Sequence, residues 1–396
     1  MKSIVIVAST YRQAVFFSRF RNALLMLNIK MIVIVLQYSA LKLLQGNQIE
    51  AYMPTKCDKC NMNDKDLKFY EVYTGRLSLE SCINLYCSTQ KLAIDIVEHN
   101  NVYAIFIFNG ENVEQKAVSD IAKKHNLPTL FFEIANIPGK IYVDRFGTNA
   151  HSELYANPEI LDLLPDCHEE YLKWKSSYLL QKRKINYIPQ RRSKYSDLSV
   201  KNIQNLWGMI RYSNLGYDKQ YVKKKIYNAV INLFGHFDFD EFDYTSNEYI
   251  FFPMQVTYDT QVMVNSNISV FEALEYAIRK ADNEGKILVV KPHPQESDTY
   301  ILSALKKLRQ KNNFFIVNDN VFSILDNASE VVTINSTVGL EAMILGKNID
   351  VLGRAMYVNF NESRLERYIC EYLVDIDFWN DKYISEADIK GLIQRI

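Results

Sequence analysis

Short apolar runs alternate along the chain with longer stretches in which apolar residues recur every three or four positions. The short runs predict buried strands, and the longer stretches predict amphipathic helices. In the first part of the chain the predicted strands are 3–9, 30–37, 102–110 and 127–135, and the predicted helices are 16–28 and 112–125. These strands are rich in Ile, Val and Phe on both faces, which is typical of a parallel sheet covered by helices on both sides.

The same alternation resumes at residue 249, after a stretch of different character. The strands predicted there are 249–256, 287–290, 314–319, 331–336 and 348–353, and the main helices between them are 269–283, 299–311 and 337–345. Two such blocks predict an α/β protein with two Rossmann-like domains, although other doubly wound pairs fit this pattern too. The predicted parts are a first domain over 1–195, a basic and acidic join over 196–247, a second domain over 248–384, and an amphipathic helix over 385–396 that packs back on the first domain.

Length and composition set broad limits. The 396 residues suffice for two domains of ordinary size, and hydrophobic residues make up 48% of them. Lysine plus arginine and aspartate plus glutamate both count 46, so the formal net charge is zero, and the basic stretches lack an interleaved stacking platform; nucleic-acid binding is therefore not expected. The sequence has no run of about 18 apolar residues, and its first apolar run is too short for a signal peptide. Six cysteines in so long a chain suit a reducing compartment, which predicts a cytoplasmic protein.

Four of the cysteines allow two interpretations. Cys57 and Cys60 form a Cys-x-x-Cys pair, followed by Cys82 and Cys87, and such a set can hold structural zinc. The second pair lies in a predicted helix, where five residues turn the chain by roughly 140°, so the two thiols leave on different faces. Free thiols are therefore the simpler interpretation.

An acidic aromatic run over 237–248 contains Asp238 and Asp240 on either side of Phe239. This spacing superficially resembles a metal-binding pair, but its place in the join favours a structural role, and no metal site is predicted there. The sequence also lacks a GxGxxG motif after the first strand, a P-loop, a GxSxG elbow and an HExxH motif. These absences argue against a dinucleotide oxidoreductase or a kinase.

Candidate chemistry lies where the strands of the second block end, because ligands of open parallel sheets bind outside the carboxyl ends of the strands. The residues at these exits are Gln255, Asp259 and Gln261 after the first strand, Lys291 and His293 after the next, and Asn335, Ser336 and Thr337 after a later one. The three exits supply a carboxylate, a pair of cationic or donor groups, and a hydroxyl-capped helix.

The hydroxyl pair predicts an anion site. Ser336 or Thr337 can cap the following helix while its first free N–H groups and its dipole face outward, an arrangement that most often binds phosphate. A plain N-cap is the alternative. The segment Lys291-Pro-His293-Pro favours the phosphate site, because an imidazole held between two prolines can donate a hydrogen bond to that phosphate and stabilise it as a leaving group.

Asp259 and Glu341 are the acidic candidates. A carboxylate facing a phosphate pocket is unfavourable unless it binds a metal, acts as a base or attacks as a nucleophile. A turn aspartate is the alternative for Asp259. Glu341 lies about one turn into the helix after Ser336, where it can accept hydrogen bonds from ribose hydroxyls or simply favour the helix dipole.

With these residues identified, the second block resembles the bacterial capsule polysaccharide biosynthesis proteins, the family that includes the retaining β-Kdo transferases. The matching stretches are FFPMQVTYDTQ, VVKPHP and VVTINSTVGLEAMILGKNIDVLGRAMY, in the family's order over 249–357. A looser match covers FFEIANIPGKIYVDRFGTNAHS over 131–152. There, EIANIPGK is poorer in glycine and arginine than the family's segment, a departure that concerns the acceptor and the sugar transferred.

The resemblance implies a GT-B-like enzyme, with two Rossmann-like domains facing across a cleft, that transfers Kdo from the donor CMP-β-Kdo with retention and without metal or cofactor. It places His293, Ser336 and Thr337 on the CMP phosphate, and Lys291 beside that phosphate or the Kdo carboxylate. Asp259 is expected to take Kdo first, in a double displacement, with Gln255 and Gln261 as neighbouring substrate-binding residues.

In the first domain the resemblance implies an acid or base and contacts to the acceptor. Glu133, which ends a strand, is the favoured acid or base, and Glu153 is the second candidate. Asn149 and Ser152 are expected to contact the acceptor or the Kdo. The acceptor implied is a polysaccharide or glycolipid of capsule or lipopolysaccharide O-antigen synthesis.

Contact with a membrane stays open. The basic stretches 182–194 and 221–225 suit peripheral contact with the inner face of the cytoplasmic membrane, or a solvated charged surface.

Two other functions are alternatives to the Kdo transferase. A CDP-glycerol or CDP-ribitol phosphotransferase of cell-wall polymer synthesis would share a KPHP-like motif without requiring the loop of Asp259. The other alternative is a non-catalytic polysaccharide-binding assembly protein.

Overall fold

The computed structural model describes residues 1–55, 69–184, 205, 238–257, 260–294, 296 and 299–396. By their contacts the described residues form two compact units. The first unit contains 1–156, 205 and 373–396, and the second contains 157–184 and the described part of 238–372. Within these ranges no helix is both long and apolar enough to cross a membrane.

The first unit is built on a six-stranded sheet. Its strands are β1 (Lys2–Ala8), β2 (Ile29–Val35), β3 (Glu50–Tyr52), β4 (Val102–Phe108), β5 (Thr129–Ile134) and β6 (Ile141–Asp144). Their order is β3-β2-β1-β4-β5-β6, and all neighbours are parallel except β6, which runs antiparallel to β5. The chain adds β2 and β3 on one side of β1 and then returns with β4 on the other, so a topological switch point lies between the carboxyl ends of β1 and β4.

Helices enclose this sheet. They are Tyr11–Ser18, Arg21–Met26, Tyr38–Gly46, Tyr70–Tyr73, Leu79–His99, Val113–Lys124 and Glu153–Ala156, together with the 3-10 turn Asn149–His151. Alternate residues of β1 enter two different cores, Ile4 and Ile6 on one face and Val5 and Val7 on the other. A strand buried on both faces explains the continuous apolar run in the sequence.

The single helix predicted over 16–28 is wrong. The first helix begins at Tyr11, because Thr10 and Gln13 form a capping box there, and it ends at Ser18. Arg19 is buried at the break, and its guanidinium donates to the carbonyl oxygens of Lys382 at 2.5 Å and Asp377 at 2.7 Å. The break is thereby tied to the C-terminal segment of the chain.

That C-terminal segment is part of the first unit. Val374 pairs with Ile141 through an antiparallel bridge. The helix Glu386–Ile393 buries Ile389 and Leu392 in the core that contains one face of β1. The terminal helix therefore contributes apolar surface to a sheet whose first strand is more than 370 residues away in sequence.

The second unit is built on a five-stranded sheet in which all neighbours are parallel. Its strands are β7 (Tyr249–Pro253), β8 (Ile287–Lys291), β9 (Phe314–Ile316), β10 (Glu330–Thr333) and β11 (Asn348–Val351), in the order β11-β10-β7-β8-β9. The helices around it are Thr260–Asn265, Val270–Glu284, Thr299–Lys311, Val321–Asn327, Thr337–Ile344 and Glu362–Arg367, followed by the π-helical turn Tyr368–Tyr372. The sheet again has a core on each face, with Ile250 and Phe252 in one and Phe251 in the other.

Residues assigned to the first domain by sequence lie in the second unit. They form the 3-10 helix Pro158–Leu163 and the helix His168–Lys184. Asp162 forms a bidentate ion pair with Arg364, with a closest contact of 2.5 Å, and Arg183 contacts Asp326 at 2.7 Å. The observed division after residue 156 therefore differs from the predicted boundary at 195, because ion pairs between such distant residues leave no local pattern.

The acidic run after residue 237 has a structural role in its described part. Asp240 accepts two hydrogen bonds from Arg309, at 2.8 and 2.9 Å, and one from the backbone N–H of Ile316 at 2.8 Å. Across the described ranges no cluster of three or more His, Cys, Asp or Glu side chains could hold a metal ion.

The cysteines divide into different states. Cys82 is a buried free thiol whose pKa is raised to about 12 by burial, whereas Cys87 takes part in a disulfide. The prediction of free thiols is thus wrong for Cys87. Cys57 and Cys60 lie outside the described residues, so zinc binding there stays a prediction.

Candidate functional site

The sheet order of the second unit brings the predicted strand exits together. β7 lies between β10 and β8, so the residues that follow these three strands share one edge of the sheet. The chain passes from β7 to β8 and β9 on one side and then crosses to β10 on the other. The crevice between the carboxyl ends of β7 and β10 is therefore the topological switch point, where open α/β sheets bind their ligands.

Gln255 holds the loop after β10 in place. Its amide nitrogen donates to Asn335 Oδ1 at 2.8 Å, and its amide oxygen accepts from the backbone N–H of Asn335 at 3.1 Å. Gln255 is buried, with 9% of its surface exposed. With both ends of its side chain used in this way, Gln255 fixes the position of the next residues, Ser336 and Thr337.

The start of the helix Thr337–Ile344 is fixed from two sides. Ser336 is the N-cap, and its hydroxyl accepts from the backbone N–H of Val338 at 3.2 Å. The buried hydroxyl of Tyr357 donates to the carbonyl oxygen of Ser336, and burial raises the pKa of this phenol. A Cβ atom at Gly339 would overlap that hydroxyl, so glycine is required for the close approach. The helix start, with its positive dipole end, therefore lies at a defined point of the switch crevice.

Lys291 is a buried cation at the end of β8. Only 8% of its surface is exposed, and its ammonium donates to Asn318 Oδ1 at 3.1 Å. Burial lowers the pKa of Lys291 to about 8, while the charge of Asp319 acts in the opposite direction. Among the described residues no carboxylate is bonded to this ammonium. A desolvated lysine of this kind gains strongly from an arriving anion.

His293 follows two residues later and is half-buried. Its carbonyl oxygen accepts from the backbone N–H of Glu296 at 2.9 Å, and the Glu296 carboxylate accepts from the backbone N–H of Thr257 at 3.1 Å. These bonds tie the loop after β8 to the loop after β7. The chain thus brings a lysine, a histidine and a helix N-terminus to one edge of one sheet.

The predicted nucleophile cannot be placed. Asp259 lies outside the described residues, and for Gln261 only its membership in the helix Thr260–Asn265 is described. Their predicted roles stay predictions.

Glu341 has protein partners in this structure. Its carboxylate accepts from the Tyr178 hydroxyl at 3.1 Å and from the Lys182 ammonium at 2.7 Å. Burial, followed by the charge of Glu341, raises the pKa of the Tyr178 phenol. Trp174 stacks on Tyr178 with 4.7 Å between ring centroids. Glu341 therefore fastens the helix His168–Lys184, and a bond to a ribose hydroxyl would have to compete with these contacts.

The basic stretch 182–194 is described only at its beginning. Lys182 pairs with Glu341, and Arg183 pairs with Asp326 at 2.7 Å. These two cations are engaged within the second unit. The remainder of this stretch and the whole of 221–225 lie outside the described residues.

In the first unit, Glu133 lies beside the exit of β4. The side-chain amide of Asn109 donates to the Glu133 carboxylate, and the backbone N–H of Ile134 donates to it at 3.1 Å. Asn109 has a left-handed backbone, with φ of 70°, directly after the last residue of β4. Glu133 is thus part of the carboxyl edge of the first sheet.

The other predicted residues of this loop have local partners. The Ser152 hydroxyl donates to the carbonyl oxygen of Asn149 at 2.6 Å and accepts from the backbone N–H of Tyr155 at 3.1 Å, with 2% of the residue exposed. Ser152 thus caps the helix Glu153–Ala156. Glu153 forms a bidentate pair with Arg145 at 2.5 and 2.7 Å. Asn149 has φ of 52° and opens the 3-10 turn Asn149–His151.

A second polar group at this edge was not predicted from the sequence. His151 Nδ1 lies 2.9 Å from the carboxylate of Glu111, which is buried and also lies 3.4 Å from Lys116 Nζ. The available signals were weak: Glu111 comes three residues after β4, and His151 is the residue before Ser152. No local spacing links residues 40 positions apart.

The fold and the site define an α/β protein with two units, each built on a mainly parallel sheet, and with a lysine, a histidine and a helix N-terminus at the carboxyl edge of the second sheet. The family model described as capsule polysaccharide biosynthesis protein matches residues 103–360, more than half of the chain. The protein belongs to the capsule polysaccharide biosynthesis family, in agreement with the resemblance seen in its motifs.

Individual relatives match in part. The chain is similar to Protein FixF of Sinorhizobium fredii (strain NBRC 101917 / NGR234), with 35% identity over 113 residues, 28% of this chain and 27% of that protein. It is similar to the capsule polysaccharide export protein KpsS of Escherichia coli, with 26% identity over 253 residues, 60% of this chain and 63% of that protein. The chain thus spans less than two thirds of both relatives. Among solved structures, the β-Kdo 2,7 transferase of Thermosulfurimonas dismutans KpsC aligns at 12% identity over 99% of this chain and 98% of that chain, with a TM-score of 0.42.

Proposed function

We propose that this protein is a metal-independent glycosyltransferase that moves Kdo from CMP-β-Kdo to a polysaccharide or glycolipid acceptor, with retention of configuration. The observation that carries this proposal is the set of groups at the carboxyl edge of the second sheet. There the start of the helix Thr337–Ile344, Lys291 and His293 follow neighbouring strands at the switch point. Membership of the capsule polysaccharide biosynthesis family supports the biological context.

The CMP phosphate is assigned to this edge. The first N–H groups of the helix and the hydroxyls of Ser336 and Thr337 offer donors, and Lys291 offers a positive charge that is bonded to no carboxylate among the described residues. His293 donates to the phosphate as it leaves with the bonding electrons. A phosphomonoester is a good leaving group only if its developing charge is neutralised, which is what these groups supply.

Retention is assigned to two displacements. In the first, the Asp259 carboxylate attacks the anomeric carbon C2 of Kdo, and the C2–O bond to CMP breaks. In the second, a hydroxyl oxygen of the acceptor attacks C2, the bond to Asp259 breaks, and the carboxylate is regenerated. Glu133 is the candidate of the first unit for acid or base assistance.

CMP binding without added metal tests the phosphate site. Replacing Lys291 with Met removes the buried charge and keeps most of the aliphatic stem, so we expect at least tenfold weaker CMP binding in isothermal titration calorimetry. The matched control is Lys286→Met, directly before the same strand, where the ammonium is paired with Glu284 at 2.9 Å. This control should bind CMP like the unchanged protein.

The reaction is tested with CMP-β-Kdo generated in situ, because the donor is labile. Release of CMP by the unchanged protein and its loss in Asp259→Asn are expected. Equal CMP affinity in the two lysine variants would contradict the assigned phosphate site. Binding of CDP-glycerol in place of CMP would favour the phosphotransferase, and binding of CMP without any turnover would favour the non-catalytic alternative.

A further inference from the structure

A cavity lies at the carboxyl end of β9, the edge strand of the second sheet. Its volume is about 420 Å³, and it is lined by residues of the segment 239–244 and by Asn318 and Asp319, which follow β9. All of these residues belong to the second unit. Cavities that bind small molecules have volumes of roughly 300–1,000 Å³, so this one is large enough for a ring with its substituents.

The segment 239–244 is fastened to β9 by its backbone and its side chains. The N–H of Asp240 donates to the carbonyl oxygen of Ile316 at 2.7 Å, and the Asp240 carboxylate accepts from the N–H of Ile316 at 2.8 Å. Phe242 packs on Phe315 with 4.9 Å between the ring centroids. Because these contacts already order the lining, a ligand would bind without the cost of ordering it.

The lining offers an aromatic face and a carboxylate. Phe239 is 42% exposed, although it is a large apolar side chain. The Tyr244 hydroxyl donates to Asp319 Oδ2 at 2.6 Å, and burial followed by this bond raises the pKa of the phenol, so Tyr244 stays the donor. Asp319 is exposed, and its Oδ1 accepts from none of the residues that the structure describes. The cavity therefore suits a flat ring that carries a hydrogen-bond donor.

The cavity adjoins the proposed phosphate site. The Lys291 ammonium, which is assigned to the CMP phosphate, donates to Asn318 Oδ1 at 3.1 Å, and Asn318 lines the cavity. In a nucleotide the ribose is joined to the phosphate through its 5′ oxygen, so the ribose and the base must lie close to the phosphate. The carboxylates of Glu241 and Asp319 make the cavity acidic, so it suits the uncharged nucleoside and not the phosphate.

We propose that this cavity binds the cytidine of CMP-β-Kdo and that Asp319 selects cytosine over uracil. The inference rests on the proposed glycosyl transfer. Cytosine carries an exocyclic amine that can donate to the Asp319 carboxylate, whereas uracil carries a carbonyl oxygen at the same ring position, which the carboxylate repels. Phe239 provides the face on which the base stacks.

The ratio of two nucleotide affinities tests the role of Asp319. Isothermal titration calorimetry with the full chain compares CMP and UMP, which share the ribose and the phosphate. The unchanged protein should bind CMP at least about tenfold more tightly than UMP. In Asp319→Asn the two affinities should agree within about threefold, because an amide can accept from the cytosine amine or donate to the uracil oxygen.

This ratio is insensitive to an indirect effect of the substitution. Burial lowers the pKa of Lys291 and the charge of Asp319 opposes this, so Asp319→Asn also weakens the cation of the phosphate site. That change acts equally on CMP and UMP, because their phosphates are identical, and it cancels in the ratio. Asp282→Asn is the matched control, since Asp282 is an exposed carboxylate of the second unit outside the cavity lining, and its ratio should equal that of the unchanged protein.

Stacking on Phe239 is tested separately. Phe239→Ala should weaken the binding of CMP and UMP alike, by about tenfold. Ribose 5-phosphate has no base, so its affinity should not change, which would show that the phosphate site is intact. Phe146→Ala is the matched control, because this ring of the first unit is 61% exposed, and its loss should leave CMP affinity unchanged.

Each result decides for or against the inference. A CMP preference that persists in Asp319→Asn, or the lack of any preference in the unchanged protein, would overturn the selection of cytosine by Asp319 and leave the transferase intact. Equal losses of affinity for CMP and ribose 5-phosphate in Phe239→Ala would mean that no base stacks on this ring, which also overturns the inference. If the unchanged protein binds neither CMP nor UMP, the proposed function fails, and this inference fails with it.

Discussion

At the scale of single residues, the proposed phosphate site of the second unit depends on where the chain places one cation. Lys291 ends a strand whose apolar residues are buried, and it is itself 8% exposed. Burial lowers its pKa to about 8, so the charged form is only moderately favoured at neutral pH. An anion bound beside it would compensate the desolvation and hold the proton in place.

CMP affinity should therefore depend on pH above neutrality. Between pH 7 and 9 the free protein loses the Lys291 proton, and the affinity should fall by about tenfold, because the neutral amine no longer attracts the phosphate. The phosphate itself has a second pKa of about 6, so its charge changes little in this range. Calorimetric titration at several pH values measures this effect, and the dependence should vanish in Lys291→Met. A flat profile in the unchanged protein would show that Lys291 does not face the anion.

A second buried group affects stability instead of binding. Glu114 is 2% exposed, and its carboxylate accepts from the Ser9 hydroxyl at the switch point of the first sheet. Burial and then the charge of Glu71 raise its pKa to about 7, against an ordinary value of 4.5. The folded protein thus binds a proton that the unfolded chain has released.

The sign of the resulting pH dependence follows directly. The protonated carboxyl stabilises the fold fully below about pH 4.5, and this contribution is lost as the pH rises to about 7. Glu114→Gln mimics the protonated state. When the pH rises from 5 to 8, the unfolding free energy of this variant should therefore fall by on the order of 2 kcal/mol less than that of the unchanged protein. Urea titrations at both pH values measure this, and equal losses would contradict it.

The positions of candidate residues were predictable only where they adjoined a strong pattern of apolar residues, and their roles stay predictions. Lys291, His293 and Ser336 directly follow apolar strands, so the rule for parallel sheets found them and sheet order placed them at one edge. Glu111 and His151 were not predicted, because their pairing depends on a turn around Gly147 and on the antiparallel edge strand β6. Neither has a periodic signature in the sequence.

At the scale of elements, prediction succeeded where caps and apolar runs coincide. The helix predicted over 337–345 is observed as Thr337–Ile344, and its start is set by Ser336. The strands β3 and β6 were not predicted, because three or four residues are too few for a pattern. The predicted helix over 16–28 began too late, because the capping box of Thr10 precedes the apolar stretch.

The helix start at Ser336 gives a prediction at this scale. Gly339→Ala places a Cβ against the Tyr357 hydroxyl, so the ring must move and its bond to the Ser336 carbonyl is lost. We expect a loss of about 1–3 kcal/mol in unfolding free energy and weaker CMP binding. Gly391→Ala is the matched control, because a Cβ there meets no atom within 4 Å, and helical alanine should stabilise by up to about 1 kcal/mol. Equal effects of the two changes on stability would contradict the role of Tyr357.

At the scale of the whole molecule, the two units are not consecutive pieces of the chain. Residues 157–184 belong to the second unit and residues 373–396 to the first. Sequence patterns located both blocks of strands and helices, and the predicted packing of the terminal helix on the first domain agrees with its place in the first unit. The patterns did not assign 157–184 to the second unit or 373–384 to the first, since the contacts of these segments join residues hundreds of positions apart. The assignment rests on particular contacts, such as Asp162 with Arg364 and Arg19 with the Lys382 carbonyl.

The terminal helix makes this arrangement testable. Ile389 is fully buried in the core of the first unit, so Ile389→Ala should remove about 2–5 kcal/mol from the unfolding free energy of that unit. Lys390→Ala on the neighbouring exposed position removes only a surface pair with Glu386 and should cost less than about 0.5 kcal/mol. Hydrogen exchange of the backbone amides, followed for each strand, measures the effect of both variants. In the Ile389 variant, protection should fall in β1 and β4, while β7 and β8 should keep their protection. Equal loss of protection in both sheets would mean that the units unfold together, and no loss in β1 would mean that the terminal helix does not support the first sheet.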